Sequence, residues 1–300
     1  SLFFDIVEGV ITYSCMLIVV ITLPIYCVVV FVLFSSRNYH STKNVFFRIY
    51  LIGGIIDIAN IANNYLGAIF PGRGWCLWYY LSSPWTGEIY LIFAWSTRVC
   101  QACTVLLLAI NRTTAVVKPT KYSQIWSGRF SVIVWFLQLG PGTMMGALIL
   151  YSSYYWIQKD NGGWYIQFAD GDFRLHYFTL AFILQLFFVV TIMGNYVVVM
   201  MYFRLKYNLT SAPSDQRARA VFFEKQKQER RLLYLSLIVC TLEVIFFFFS
   251  VYFFVINTTV PTRIFYLVYN ALSDIYAVTP AYLLILFSTA FKRRLCVFLG

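Results

Sequence analysis

Apolar positions in this chain come in long blocks rather than in alternation. Seven blocks reach the roughly 20 mostly apolar residues that a helix needs to cross a bilayer. They run over 10–34, 46–70, 89–112, 130–152, 177–203, 232–257 and 263–288. Polar positions gather in short connections between them, apart from two longer ones, 153–176 and 204–231. Backbone N–H and C=O groups find no water inside lipid, so the blocks are expected to be helices. The pattern predicts an all-α membrane protein, a single seven-transmembrane helix bundle over 1–300. No soluble domain is inserted, and no inverted repeat of the transporter kind is visible.

Composition agrees: 60% of residues are hydrophobic and 12% charged, against about 25% charged in soluble domains. The net charge of +11 raises the question of nucleic acid. Its distribution gives another answer. Eighteen Lys and Arg lie on one side of the seven blocks, including eight from Arg204 to Arg231 and the run Lys292-Arg293-Arg294. The other side has Arg73, Lys159, Arg174 and Arg263. The positive-inside rule puts the rich side in the cytoplasm and the N-terminus outside. Topology and anionic lipid account for the charge, with no nucleic-acid partner. The chain starts at Ser1 rather than Met, so a preceding segment is expected to have been removed. The seven cysteines form no disulfide framework. Cys100 and Cys103 are spaced as CxxC, but mid-span and with no histidine near, so neither a metal nor a cofactor is expected.

Four ionisable residues fall inside blocks: Asp57, Arg98, Glu243 and Asp274. Charges there are costly, usually face the bundle interior and are candidates for function. Arg98 precedes Arg112 by 14 residues, close to four helical turns and about 21 Å. The two share a face, Arg112 at the inner rim and Arg98 in the outer half. A guanidinium suits a carboxylate or phosphate, which makes Arg98 a candidate for an acidic ligand. The structural alternative is an internal pair with Asp274 or Glu88. Asp57, Asn60 and Asn64 form a polar stripe on one helix face. It reads equally as a switchable polar network, which Asp274 could join, or as plain interhelical bonding. Glu243 is read in the inner half of the sixth block, where it could latch Arg112. Most aromatics near the outer ends read as an interfacial belt; Tyr90, Trp95, Tyr266 and Tyr269 are placed in a pocket.

Short motifs carry a family resemblance. Asn111-Arg112, followed by Pro119 and Tyr122, looks like the Asp-Arg-Tyr segment and later proline of rhodopsin-like G-protein-coupled receptors. Thr279-Pro280, with Phe291 in the basic segment after it, resembles their Asn-Pro motif and short surface helix. Asp57 resembles their buried aspartate. Phe46-Phe47-Arg48-Ile49-Tyr50, Asn111-Arg112-Thr113-Thr114, Tyr122-Ser123-Gln124-Ile125-Trp126 and Thr279-Pro280 are similar to recurring pieces of nematode chemoreceptors of the serpentine receptor class gamma group. Sister classes of that superfamily are the alternative. The resemblance implies a rhodopsin-like architecture in the plasma membrane of a sensory neuron. It implies a small extracellular ligand, such as an acidic lipid-like pheromone, and a heterotrimeric G protein at the inner surface. It makes Arg112, Asn111, Asp57 and Pro280 the expected activation switch, to which the ionisable Glu243 and Asp274 are added. The departures are Asn111 for the acidic residue, Thr113 for the tyrosine, no proline in the fifth and sixth blocks, and no cysteine in 153–176.

The loop 204–231 has eight basic and three acidic residues, and Phe222–Arg231 reads as an inner extension of the sixth helix. After Ser288 a basic amphipathic stretch suits an interfacial helix, with Cys296 a candidate for palmitoylation. Asn257-Thr258-Thr259 is an outward-facing glycosylation sequon. An enzyme is excluded as the reading, because His40 and His176 lie in opposite loops with no catalytic set. A ligand-gated channel or small-molecule transporter is the remaining alternative. Helices broken at Gly53-Gly54, Gly140-Pro141-Gly142 or Pro280 would be its sign.

Overall fold

A computed structural model of the chain describes residues 2–35, 45–83, 85–126, 130–158, 162–209, 216–252 and 262–299. Among these, seven helices are long and apolar enough to cross a membrane. They are α1 (Leu2–Ser35), α2 (Val45–Asn64), α3 (Trp85–Val117), α4 (Phe130–Leu148), α5 (Gly171–Leu209), α6 (Gln216–Val251) and α7 (Thr262–Phe287). A shorter helix, α8 (Thr289–Leu299), follows. Outer and inner below refer to the poorly basic and richly basic ends. The sequon at Asn257 lies outside the described residues.

Several helices are longer than their apolar blocks, for local reasons. α5 starts at Gly171 because the Asp170 carboxylate caps it, accepting from the backbone N–H of Asp172 at 2.9 Å and of Phe173 at 3.2 Å. Such a cap satisfies N–H groups that the first turn leaves open. α6 begins at Gln216, so it extends well inward of its apolar part, Leu233–Val251. α2 runs on through a π-helical turn, Tyr65–Ile69, into a last turn that carries Pro71.

α3 is the central staff. It packs against α2, α4, α5 and α6, while α1 lies against α2, α7 and α8. The α3–α4 crossing is close because α4 carries Gly142 and Gly146 four residues apart. A Cβ at the first would collide with the Cys100 sulfur, and one at the second with the Ser96 hydroxyl. Helices in lipid gain little from hydrophobicity, so close backbone approach through small residues is what holds such a pair. The helices run through Gly53-Gly54, Gly140-Pro141-Gly142 and Pro280 without the breaks a transporter would show.

The outer loop holds what the apolar blocks did not announce, an antiparallel hairpin of β1 (Tyr154–Gln158) and β2 (Trp164–Phe168). It turns through Gly162, whose φ of +80° suits glycine. The hairpin lies on the outer end of α3, where Ile166 packs so close to Gly87 that a Cβ there would overlap it. Phe168 beds against Tyr177 and Phe178 of α5, at 5.8 and 6.0 Å between rings. Aromatic packing fastens the loop, and Cys76 stays a free thiol.

Candidate functional site

Three polar centres lie along the interior. At the inner rim, Asn111 is fully buried and works in two directions. Its Oδ1 accepts from Arg112 Nη2 at 3.1 Å, and its Nδ2 donates to the Tyr122 hydroxyl at 2.9 Å. The Arg112 guanidinium lies over the Phe46 ring, 4.0 Å from its centroid, a cation–π placement. The neighbouring Trp126 donates to Thr114 Oγ1 at 2.6 Å, pinning the short helix Tyr122–Ile125 against α3. Asn111 thus offers Arg112 a neutral amide acceptor where a carboxylate would hold it by charge.

At mid-depth, Arg98 meets Glu243 of α6, Nη2 to Oε1 at 2.7 Å. The guanidinium is flanked by the rings of Phe246 and Tyr276, 4.1 and 4.8 Å from their centroids. Arg98 is 8% exposed and Glu243 is sealed. The contact has one point. Arg98 Nη1 and Glu243 Oε2 make no hydrogen bond among the described residues. This corrects two expectations. The internal partner of Arg98 is neither Asp274 nor Glu88. Glu243 also does not latch Arg112, which lies about 21 Å farther along α3, far beyond the reach of one side chain. The anion that Arg98 holds in this arrangement is therefore a side chain of its own bundle.

The polar stripe of α2 stitches four helices together. Asp57 accepts from the Tyr26 hydroxyl of α1 and from Gln101 Nε2 of α3, the latter at 2.7 Å. Asn60 donates to Ser273 of α7 at 3.1 Å and accepts from Thr97 of α3 at 2.9 Å. Asn64 donates to Asp274 of α7 at 3.1 Å, beside the Tyr65 hydroxyl, which donates to its other oxygen at 2.9 Å. Asp57 and Asp274 so belong to one stripe, from different depths. Pro280 is buried near Asp57 and Tyr276, at the edge of a small internal cavity.

The expected pocket residues part company. Trp95 turns to α5, its ring 5.6 Å from Tyr177 and 5.1 Å from Phe178. Tyr269 packs on Phe246, next to Arg98, at 5.4 Å. Tyr90 is buried against Gly67 of the π turn. Tyr266 stacks near Tyr165 of the hairpin, at 5.7 Å, and lines an outer cleft that also reaches Asp274. Residues that sequence reasoning missed include Gln101, Tyr26, Tyr65, Phe246 and Tyr276. Gln101 had a signal, since it is a polar side chain one turn from Arg98. Buried Gln138 of α4 is another. It donates to Thr104 Oγ1 at 2.8 Å and to the Ile49 carbonyl at 3.1 Å.

At the inner surface α8 is capped by Ser288, whose hydroxyl accepts from the Phe291 N–H at 3.2 Å. Phe291 is buried, while Cys296 is exposed and Phe298 lies 5.4 Å from Phe31 of α1. Among the described residues no group of histidine, cysteine and acidic side chains could hold a metal ion.

Residues 15–300 match the family described as Serpentine type 7TM GPCR chemoreceptor Srv. No curated protein matches the chain.

Proposed function

Because the chain belongs to the Srv family of serpentine seven-helix chemoreceptors, we propose that it binds a small extracellular ligand and activates a heterotrimeric G protein. Its place in this reading is the plasma membrane of a sensory neuron. Kinship with the class gamma group rests on the short motifs around Arg48, Arg112 and Tyr122; the family match supports the serpentine chemoreceptors as a whole. The observation that carries the proposal is the Arg98–Glu243 pair. It ties α3 to α6 at mid-depth, between the aromatic outer half and the Asn111–Arg112–Tyr122 cluster at the inner rim.

A receptor needs an element with two arrangements and a ligand that favours one of them. A single-point ion pair between two helices is such an element, because separating the helices changes its energy steeply. An acidic lipid-like ligand belongs to this reading as a displacer. A carboxylate that reached Arg98 would replace Glu243 and free α6 to move. The inner extension of α6 and the basic run of α8 would then meet the G protein. Cys296, exposed on α8, is placed for palmitoylation.

The test is expression of the full chain in cells that report G-protein dissociation, screened with small acidic and neutral metabolites. Ligand-dependent dissociation is expected, with raised basal signalling in Glu243→Gln. A ligand-gated current without G-protein dissociation would overturn the proposal in favour of a channel.

A further inference from the structure

A cleft in the outer half lies between α1, the end of α2 and α7, away from Arg98. Together with the open solvent at its edge it spans about 500 Å³. Its apolar walls include Ile11, Ile69 and Leu267, and its polar groups include Asn270 and Asp274. The π turn Tyr65–Ile69 supplies part of the wall and points the Tyr65 hydroxyl at Asp274. π turns inside helices are frequent at functional sites, since they re-aim side chains without ending the helix.

The charge of this cleft is unbalanced. Asp274 is 4% exposed, and no basic side chain lies within ion-pair distance of it among the described residues. Its two bonds come from neutral donors, Asn64 and Tyr65. A carboxylate has about four acceptor sites, so some of its capacity is unused. Asn270 Oδ1, one turn outward on α7, is a buried acceptor with no donor among the described residues. The one basic group of the lining, Arg73, is engaged away from Asp274. It meets Glu8 at 4.0 Å, donates to the Glu8 carbonyl at 3.3 Å and lies over the Tyr13 ring. The floor therefore offers acceptors and negative charge, and the walls offer apolar surface. Buried charge without a counter-charge is costly, and a cationic ligand with N–H donors would supply both deficits at once.

We propose that this cleft binds a small organic ammonium ion with a compact apolar body, its N–H groups donating to Asp274 and Asn270 Oδ1. The proposal goes beyond the acidic ligand at Arg98 and rests on the receptor reading only for the ligand's approach from outside. Its test uses purified full-length chain in nanodiscs, without G protein. The probes are n-butylamine, benzylamine and phenethylamine, each against its alcohol and carboxylate isosteres, with binding read by competition and thermal shift. At least one amine should bind ten-fold more tightly than both of its isosteres. Asp274→Asn should weaken it at least ten-fold, and so should Ala271→Phe, which fills the cleft wall while leaving Asp274 its bonds. Equal binding of amine and carboxylate, no binding by any amine, or unchanged amine affinity in a folded Asp274→Asn or Ala271→Phe chain would overturn it. Amine binding with no signalling when the same amines are added to the cell assay would leave the cleft standing and count against the receptor reading. Signalling by another ligand with no amine binding would do the reverse.

Discussion

Glu243 and Asp274 are carboxylates of one bundle, 0% and 4% exposed, and they are held in opposite ways. Glu243 has an arginine at 2.7 Å, itself flanked by aromatic rings. Asp274 has two neutral donors, no cation and a cleft beside it. A buried charge with an internal counter-charge is a strut, since removing one partner strands the other. A buried charge held by neutral donors has no partner to strand. The first arrangement suits a contact between moving helices, and the second suits a site that waits for its counter-ion.

The strut is broken most severely by Arg98→Gln. It leaves the fully buried Glu243 carboxylate without its cation, and stranding one member of a buried pair costs about 3–5 kcal/mol. Thermal unfolding in nanodiscs should fall accordingly, and an unchanged midpoint would mean that the pair carries no stability. The second measurement sharpens the first. The double change Arg98→Gln with Glu243→Gln removes both charges together, so it should recover most of the loss. A double-mutant cycle should give a coupling of about 3 kcal/mol or more, at the top of the range for contacting residues. Additive losses would show that the two side chains act independently.

The fold was legible because crossing a membrane writes itself in length and hydropathy, and all seven blocks appear as helices. Pairing between helices was less legible. Helical phase told that Asp57, Asn60 and Asn64 share a face, and their bonds to α1, α3 and α7 follow from that. Phase alone does not give depth on a neighbouring helix. Depth in the block 232–257 reads Glu243 as inner, whereas the described apolar part of α6 is Leu233–Val251 and the ion pair sets Glu243 level with Arg98. The hairpin had a signal in Gly162-Gly163 between two aromatic runs, and the early start of α5 had one in Asp170. The π turn had little to announce it beyond Gly67 and Pro71. Without it, the cleft beside Asp274 could not be drawn from the chain.

A smaller effect probes the neutral side of the comparison. Tyr65→Phe removes one hydroxyl that donates to Asp274 at 2.9 Å and leaves the ring in place. Interhelical hydrogen bonds in membranes average about 0.6 kcal/mol and seldom exceed about 2. The unfolding midpoint should drop by that modest amount, well short of the Arg98→Gln loss. A drop as large would mean that Asp274 depends on Tyr65 as Glu243 depends on Arg98, and the contrast between the two carboxylates would disappear.

The smallest effect on stability is expected from Asp274→Asn, and its smallness is what makes it decisive. The asparagine keeps the shape and one acceptor oxygen, so one of the bonds from Asn64 and Tyr65 survives. The lost bond is worth a fraction of a kcal/mol to about 2 kcal/mol. Against it stands the relief of no longer holding a carboxylate without a cation in a low-dielectric interior. The two terms oppose each other, so the unfolding midpoint should stay within about 0.5 kcal/mol of the original chain, the scale of ordinary tolerated changes. The same chemical change at Glu243, made alone, strands Arg98 and should cost several-fold more. Equal losses at the two positions would show that Asp274 has a counter-charge after all, and would remove the reason to look for one in a ligand.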